Sequence, residues 1–114
     1  MKVSFKPSTE KSGLIFKKEV HVVRVTVQMS EEEIAAAQAA GFMKQELFDV
    51  PFTHHADTAV TITVADLAKG FDMKAYFVDF IDASGFTNQV KEMLIRLKNV
   101  LEAKMSEGEE EFEL

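Results

Sequence analysis

The stretch that decides the fold is EVHVVRVTVQMSEEEIAAAQAAG, residues 19–41. Its first half alternates with a period of two, which is typical of a β-strand with one covered and one wet face. The inward set is His21, Val23, Val25, Val27 and Met29. The second half predicts a helix over 31–40, because Ser30 and Glu33 form a capping box and Gly41 supplies a left-handed C-terminal cap. Its alanines leave this helix slim enough to lie against a sheet.

Outward from this stretch, the same alternation predicts further strands. Pro51 confines one of them to a sheet edge, where Phe48, Val50 and Phe52 are expected on one side. Thr63 and Asp66 predict a second capping arrangement that starts a single helical turn. The predicted strands cover residues 2–6, 44–52, 57–64 and 71–77.

Towards the C-terminus the apolar period changes from two to 3.6, which predicts a long amphipathic helix. Its start is left open between Asp79, Ser84 and Thr87 as capping residues, and it is expected to end near Ser106 and Gly108. The apolar stripe consists of Val90, Met93, Leu94, Leu97, Val100 and Leu101.

The short connections between these elements favour an α+β fold over a doubly wound parallel sheet. We expect a single domain over residues 1–106, with a mainly antiparallel sheet of four to five strands. A short Ala-rich helix and a longer C-terminal helix pack on one face of it. The acidic tail, residues 107–114, is expected to be disordered.

The composition points to an ordinary globular chain: 46% of residues are hydrophobic, 28% are charged and the net charge is −6. No signal peptide or membrane span can be drawn, and cysteine is absent, so we expect a cytoplasmic protein without a membrane partner. The charge is uneven. Residues 1–28 carry six cationic side chains against two acids, so the remainder of the chain carries all the excess negative charge.

One group of residues is a candidate metal site: His54, His55 and Asp57, joined by His21 from the central strand. Imidazole and carboxylate are good ligands for zinc and similar ions. The spacing is poor, however, because adjacent residues of an extended chain point to opposite sides. We therefore assign no catalytic residue, no metal and no cofactor, and keep a metal-dependent or acid–base enzyme as the alternative function.

Four further acids are candidates for acid–base roles, but nothing in their spacing pairs them. They are expected to cap helices or to lie in solvent. The four are Asp66, Asp72, Asp79 and Asp82.

The chain closes on SEGEEEFEL, residues 106–114. In composition it is similar to the acidic, aromatic-tipped C-termini of bacterial single-stranded-DNA-binding proteins, but it lacks their proline–phenylalanine ending. Acids that steer an encounter and apolar residues that anchor it predict a docking segment for another protein. The alternative is a solvated end that limits aggregation. The predicted partner-binding residues are Glu109, Glu110, Glu111, Phe112 and Leu114.

A nucleic-acid partner is a further alternative that the acidic balance disfavours. It would use the basic N-terminal segment, with Phe5 and Phe16 as stacking platforms that the tail masks.

The leading interpretation is a non-enzymatic protein-interaction or accessory subunit that forms a homodimer. It depends on apolar residues that fall outside the predicted core, since exposed residues of this size mark interfaces. These are Ile95, Phe42, Met43, Phe80 and Phe86.

Overall fold

The computed structural model describes residues 1–12, 18–51 and 59–107 of the 114-residue chain. Strands and helices interleave along it, and the α+β class predicted from the sequence is confirmed. The elements are β1 (Lys2–Ser12), β2 (Lys18–Gln28), α1 (Glu31–Ala39), β3 (Glu46–Val50), β4 (Val60–Thr63), α2 (Val64–Ala68), β5 (Phe71–Phe77) and α3 (Phe80–Glu107).

β2 is the central strand of a three-stranded antiparallel sheet with the order β1–β2–β5. In the register, Val25 lies between Phe5 of β1 and Met73 of β5. The predicted inward face is confirmed, since Val23 and Val27 are buried together with Val25. The five strands do not form one sheet. Both edges of β2 are taken by β1 and β5, and β3 and β4 pair with each other as a separate antiparallel sheet.

β3 departs from the simple alternation that the sequence suggests. Its register with β4 is irregular between Glu46 and Phe48. The irregularity turns Leu47 into the core, while Phe48 is only half-buried and Val50 is buried. The expectation that Phe48 and Val50 share a side is confirmed, because both pack on the core and the exposed Asp49 separates them. Phe52 lies outside the described residues.

The capping box of α1 forms as predicted. The Ser30 Oγ accepts a hydrogen bond from the Glu33 amide at 3.2 Å, and the Glu33 Oε1 accepts one from the Ser30 amide at 3.0 Å. Gly41 follows with φ 75°, the left-handed conformation expected of it. α1 packs mainly on α3, with Ala37 fully buried.

α3 begins at Phe80, the earliest of the predicted starts. Asp79 caps it, since its Oδ1 accepts a hydrogen bond from the Asp82 amide at 2.8 Å. The helix covers the inward face of the sheet through Val90, Leu94, Leu97 and Leu101, which are buried. Val100, expected in that stripe, is instead 43% exposed. No helix among the described residues has both the length and the apolar character that crossing a membrane requires.

The opposite face of the sheet is open and charged. Arg24 makes two hydrogen bonds to Asp72, at 2.8 and 2.6 Å, and the Lys74 Nζ lies 3.2 Å from the Glu10 carboxylate. Val22 is an apolar exception on this face and is only 1% exposed.

Candidate functional site: the groove between β1 and α3

A solvent-facing groove runs between the edge strand β1 and helix α3, which we call the β1–α3 groove. Its two halves share Phe5 and Lys91. The first, the His21 half, has a volume of about 400 Å³. The second, the Ile95 half, has a volume of about 390 Å³. The His21 half is lined in part by Pro7, Ser8, His21, Phe80, Ser84 and Asn88, and the Ile95 half by Met1, Val3, Leu94, Ile95 and Lys98.

The groove follows directly from the periodicities of the two elements. Residues of β1 with odd numbers face α3, so Val3, Phe5 and Pro7 form one wall. Proline is tolerated there because β1 is paired only with β2, and its outer edge needs no donor at that position. On α3, a stripe at helical spacing from Phe80 to Lys98 forms the other wall. Each half is of the size that small ligands or peptide side chains fill.

The charge of the groove is opposite to that of the chain. The described residues that line it include the cations Lys91 and Lys98 but no carboxylate, although the sequence has 19 acidic residues. The Lys91 Nζ lies 5.3 Å from the centroid of the Phe5 ring, so an ammonium stands over the apolar floor. Lys98 has Glu102 as a neighbour at 3.8 Å, an exposed pair on one helix face that is held only weakly. The groove therefore suits an anionic ligand with an apolar part.

His21 is the one predicted metal-site residue that the structure describes. It is half-buried at one end of the groove, and its ring meets the Phe80 ring edge-on with a centroid distance of 6.2 Å. His54, His55 and Asp57 lie outside the described residues, so their convergence with His21 stays a hypothesis. Across the described ranges, no three His, Asp or Glu side chains form a group that could hold a metal ion.

The four candidate acid–base residues are spread over different elements. Asp66 completes the predicted cap of α2, where its Oδ2 accepts from the Thr63 amide at 2.8 Å, and Asp79 caps α3. Asp82 lies in the first turn of α3 and is exposed. Asp72 is held by Arg24, whose hydrogen bonds lower the pKa of the Asp72 carboxyl, while the same contact raises the pKa of Arg24. All four acids have structural or surface positions, as expected.

Glu33 is a buried acid whose second partner the sequence did not indicate. Its Oε1 lies 2.7 Å from the amino group of Met1, in addition to accepting from the Ser30 amide. Burial on its own raises the pKa of Glu33, but the hydrogen bonds from Met1 and Ser30 outweigh it, so the pKa is lowered. The capping motif identified the contact with Ser30. No local pattern pairs positions 1 and 33.

A second surface is apolar and lies where β5 passes into α3. We call it the junction patch: Val78, Phe80 and Ile81, which are 88%, 67% and 79% exposed. The sequence singled out Phe80 but missed its two neighbours, although the run FVDFI at 77–81 carries the signal.

The other apolar residues predicted to lie outside the core differ in their outcome. Ile95 is exposed, as expected. The prediction is wrong for Phe86, which is 8% exposed and stacks at a tilt on Phe77 with ring centroids 5.2 Å apart. Phe42 and Met43 are half-buried and pack against the core. Of the five residues predicted to lie outside the core, Phe80 and Ile95 are therefore exposed.

The nucleic-acid alternative gains little from this geometry. Phe5 lies on the covered face beneath Lys91, so its ring is not free to stack on a base. Phe16 lies outside the described residues. Arg24 and Lys74 on the open face are paired with Asp72 and Glu10.

Comparisons of this chain with protein-family models, with curated proteins and with solved structures gave no match. A fold class does not by itself imply an activity. The function is therefore inferred from the junction patch, the β1–α3 groove and the charge layout.

Proposed function

We propose that the protein is a non-enzymatic interaction or accessory subunit of the cytoplasm that works as a homodimer. The junction patch is the observation that carries this proposal. Its three large apolar side chains are each at least two-thirds exposed and lie within four consecutive residues. Burying one such side chain in an interface stabilises the complex by about 1.5–3 kcal/mol. Large exposed apolar residues of this kind mark a contact surface.

The edge of the sheet is a poor alternative interface, which favours the junction patch as the contact. β1 carries Pro7 in its middle and three lysines along its length, and both features oppose pairing with another strand. The net charge of −6 makes two copies repel each other. The apolar contact must outweigh that repulsion, so association is expected to strengthen as salt screens the charges.

The acidic tail is the second element of the proposal. Glu109, Glu110 and Glu111 steer the approach of a basic partner, and Phe112 and Leu114 anchor it. These residues lie outside the described part of the chain, so their support is the sequence pattern. If pull-downs with the full chain and with a chain lacking residues 107–114 recover the same partners, this role is excluded.

The dimer is tested by light scattering after gel filtration over a range of protein concentrations. The informative variant is Ile81→Ser, and Ile95→Ser is its matched control, because both remove an exposed isoleucine from α3. We expect dimers for the unmodified chain and for Ile95→Ser, and a shift towards monomers for Ile81→Ser. A monomer at every concentration, or an equal effect of the two variants, contradicts the proposal.

A further inference from the structure

We infer that the Ile95 half of the β1–α3 groove receives residues 108–114 of the same chain, folded back along α3. The inference rests on the proposed interaction role of the acidic tail and specifies where the tail lies when no partner holds it. Three independent features carry it: charge, exposed apolar surface and chain length.

Charge is the first feature. Residues 108–114 contain four glutamates and no cation. The Ile95 half of the groove is bordered by Lys91 and Lys98, and no carboxylate is among the described residues that line it. Among the described residues, the ion-pair partner of Lys98 is its exposed neighbour Glu102 at 3.8 Å, so a carboxylate from the tail can replace or join that contact. The tail is thus attracted to this surface.

The apolar surface is the second feature. Ile95 is 57% exposed and Val3 is 40% exposed, and both line the Ile95 half. They flank the ring of Phe5, which packs against the core from β1. Phe112 is the aromatic residue of the tail, and placing it across Ile95 and Val3 covers the apolar surface that α3 and β1 leave open. Aromatic rings between charged residues are the usual anchors of such docking.

Chain length is the third feature and limits the docked region. Lys98 precedes Glu107, the last residue of α3, by nine residues, or about 14 Å of helix. An extended chain advances about 3.4 Å per residue, so Phe112 reaches about 17 Å back from Glu107. The tail therefore covers Lys98 and the region of Ile95. Ser84, which lies in the His21 half, is about 35 Å from Glu107 and is out of reach.

In this arrangement the β1–α3 groove and a protein partner compete for the same tail. The tether gives the tail an effective concentration in the millimolar range at the groove, so weak contacts suffice to populate the docked form. A partner that takes Phe112 must first displace it from Ile95. Partner binding is then expected to expose Val3 and Ile95.

The test uses the full chain, which has no cysteine and so accepts a single spin label without background. With Glu113→Cys carrying the label, the amide NMR signals of Val3 and Ile95 are expected to lose intensity. The signal of Lys11, eight residues and about 26 Å along β1 from Val3, is expected to keep it. High salt restores the lost signals, because the attraction is screened. Signal loss confined to the last turn of α3, unchanged by salt, overturns the inference.

Charge variants test the cause of the contact. Lys91→Glu together with Lys98→Glu is expected to abolish the loss of NMR intensity at Val3 and Ile95. Lys91→Arg together with Lys98→Arg keeps both positive charges and is expected to preserve that loss. Lys44→Glu together with Lys69→Glu changes the net charge by the same amount at two exposed positions outside the groove. This pair is the control and is expected to have no effect. Signal loss that survives the paired glutamate substitutions contradicts the inference.

A mixing experiment separates the same chain from a second copy. Spin-labelled chains without isotope are mixed with isotope-labelled chains that carry no spin label. Signal loss in that mixture means docking between copies and overturns the inference, whereas its absence supports docking within one chain. Light scattering on the same samples tests the homodimer separately from the docked tail. A monomer with intramolecular signal loss removes only the homodimer, and a dimer without signal loss removes only the docked tail.

Discussion

Replacing Glu33 by glutamine should destabilise the fold far more than an ordinary loss of one surface charge. The Glu33 side chain is 7% exposed, and its Oε1 accepts from the Met1 amino group at 2.7 Å and from the Ser30 amide at 3.0 Å. Glutamine keeps an oxygen acceptor but leaves the buried ammonium without a counter-charge. A hydrogen bond to a charged group contributes about 1.5–3 kcal/mol, and breaking a buried pair costs about 3–5 kcal/mol. We expect a loss of about 2–4 kcal/mol in the free energy of unfolding.

The effect should depend on pH, with a sign fixed by the pKa of Glu33. That pKa is lower in the folded chain than in the unfolded chain. The stabilisation from the carboxylate is therefore complete above the unfolded pKa of about 4.3, and it is lost as the pH falls through the folded pKa. The deficit of Glu33→Gln should be constant near neutral pH and should shrink in acid below about pH 4.

Urea denaturation of the chain with a free Met1 amino group, at neutral and acidic pH, measures both effects. Glu32→Gln is the matched control, because it makes the same chemical change at an exposed position of the same helical turn. It should cost at most about 1 kcal/mol through the helix dipole. Equal losses for the two variants, or a deficit for Glu33→Gln that persists in acid, would refute the assignment of Glu33 to a buried ion pair.

The remaining predictions concern the core and two glycines. Leu101→Ala should lower the free energy of unfolding by about 2–5 kcal/mol, because Leu101 is fully buried. Val100→Ala, at a 43% exposed position, should cost less than about 1 kcal/mol. Similar losses for the two variants in urea denaturation would contradict the packing described for α3. Gly85→Ala should stabilise the chain by about 0.5–1 kcal/mol, since Gly85 lies inside α3 with open space where a Cβ would stand. Gly41→Ala also meets no neighbour, but its φ of 75° makes alanine strained by about 1 kcal/mol, so thermal melting should move in opposite directions for the two glycine variants.

Features encoded by residues close in sequence could be predicted. The cap of α1 needs only Ser30 and Glu33, the cap of α2 needs only Thr63 and Asp66, and all of these contacts form. The inward face of β2 follows from alternation in a strand with neighbours on both sides. Local chemistry decides these elements before any tertiary contact is made.

Features that depend on distant partners could not be predicted. The irregular pairing with β4 turns Leu47 inwards. An inserted residue of this kind cannot be detected from the alternation of apolar residues at Phe48 and Val50. The helical period alone places Phe86 near the end of an element and outside the core, whereas the neighbouring strand supplies Phe77 as its partner. The β1–α3 groove requires the position of α3 relative to the sheet edge, which no local pattern specifies.

Phe80 belongs to both candidate surfaces, so a partner bound at one surface affects binding at the other. It is part of the junction patch, and it also lines the His21 half of the β1–α3 groove, where its ring meets His21. A second copy that buries Phe80 therefore restricts the entrance to the His21 half, whereas the Ile95 half lies further along α3. Dimer formation and tail docking can then coexist on one chain. An anionic ligand in the His21 half would instead compete with the dimer, because both need the same aromatic ring.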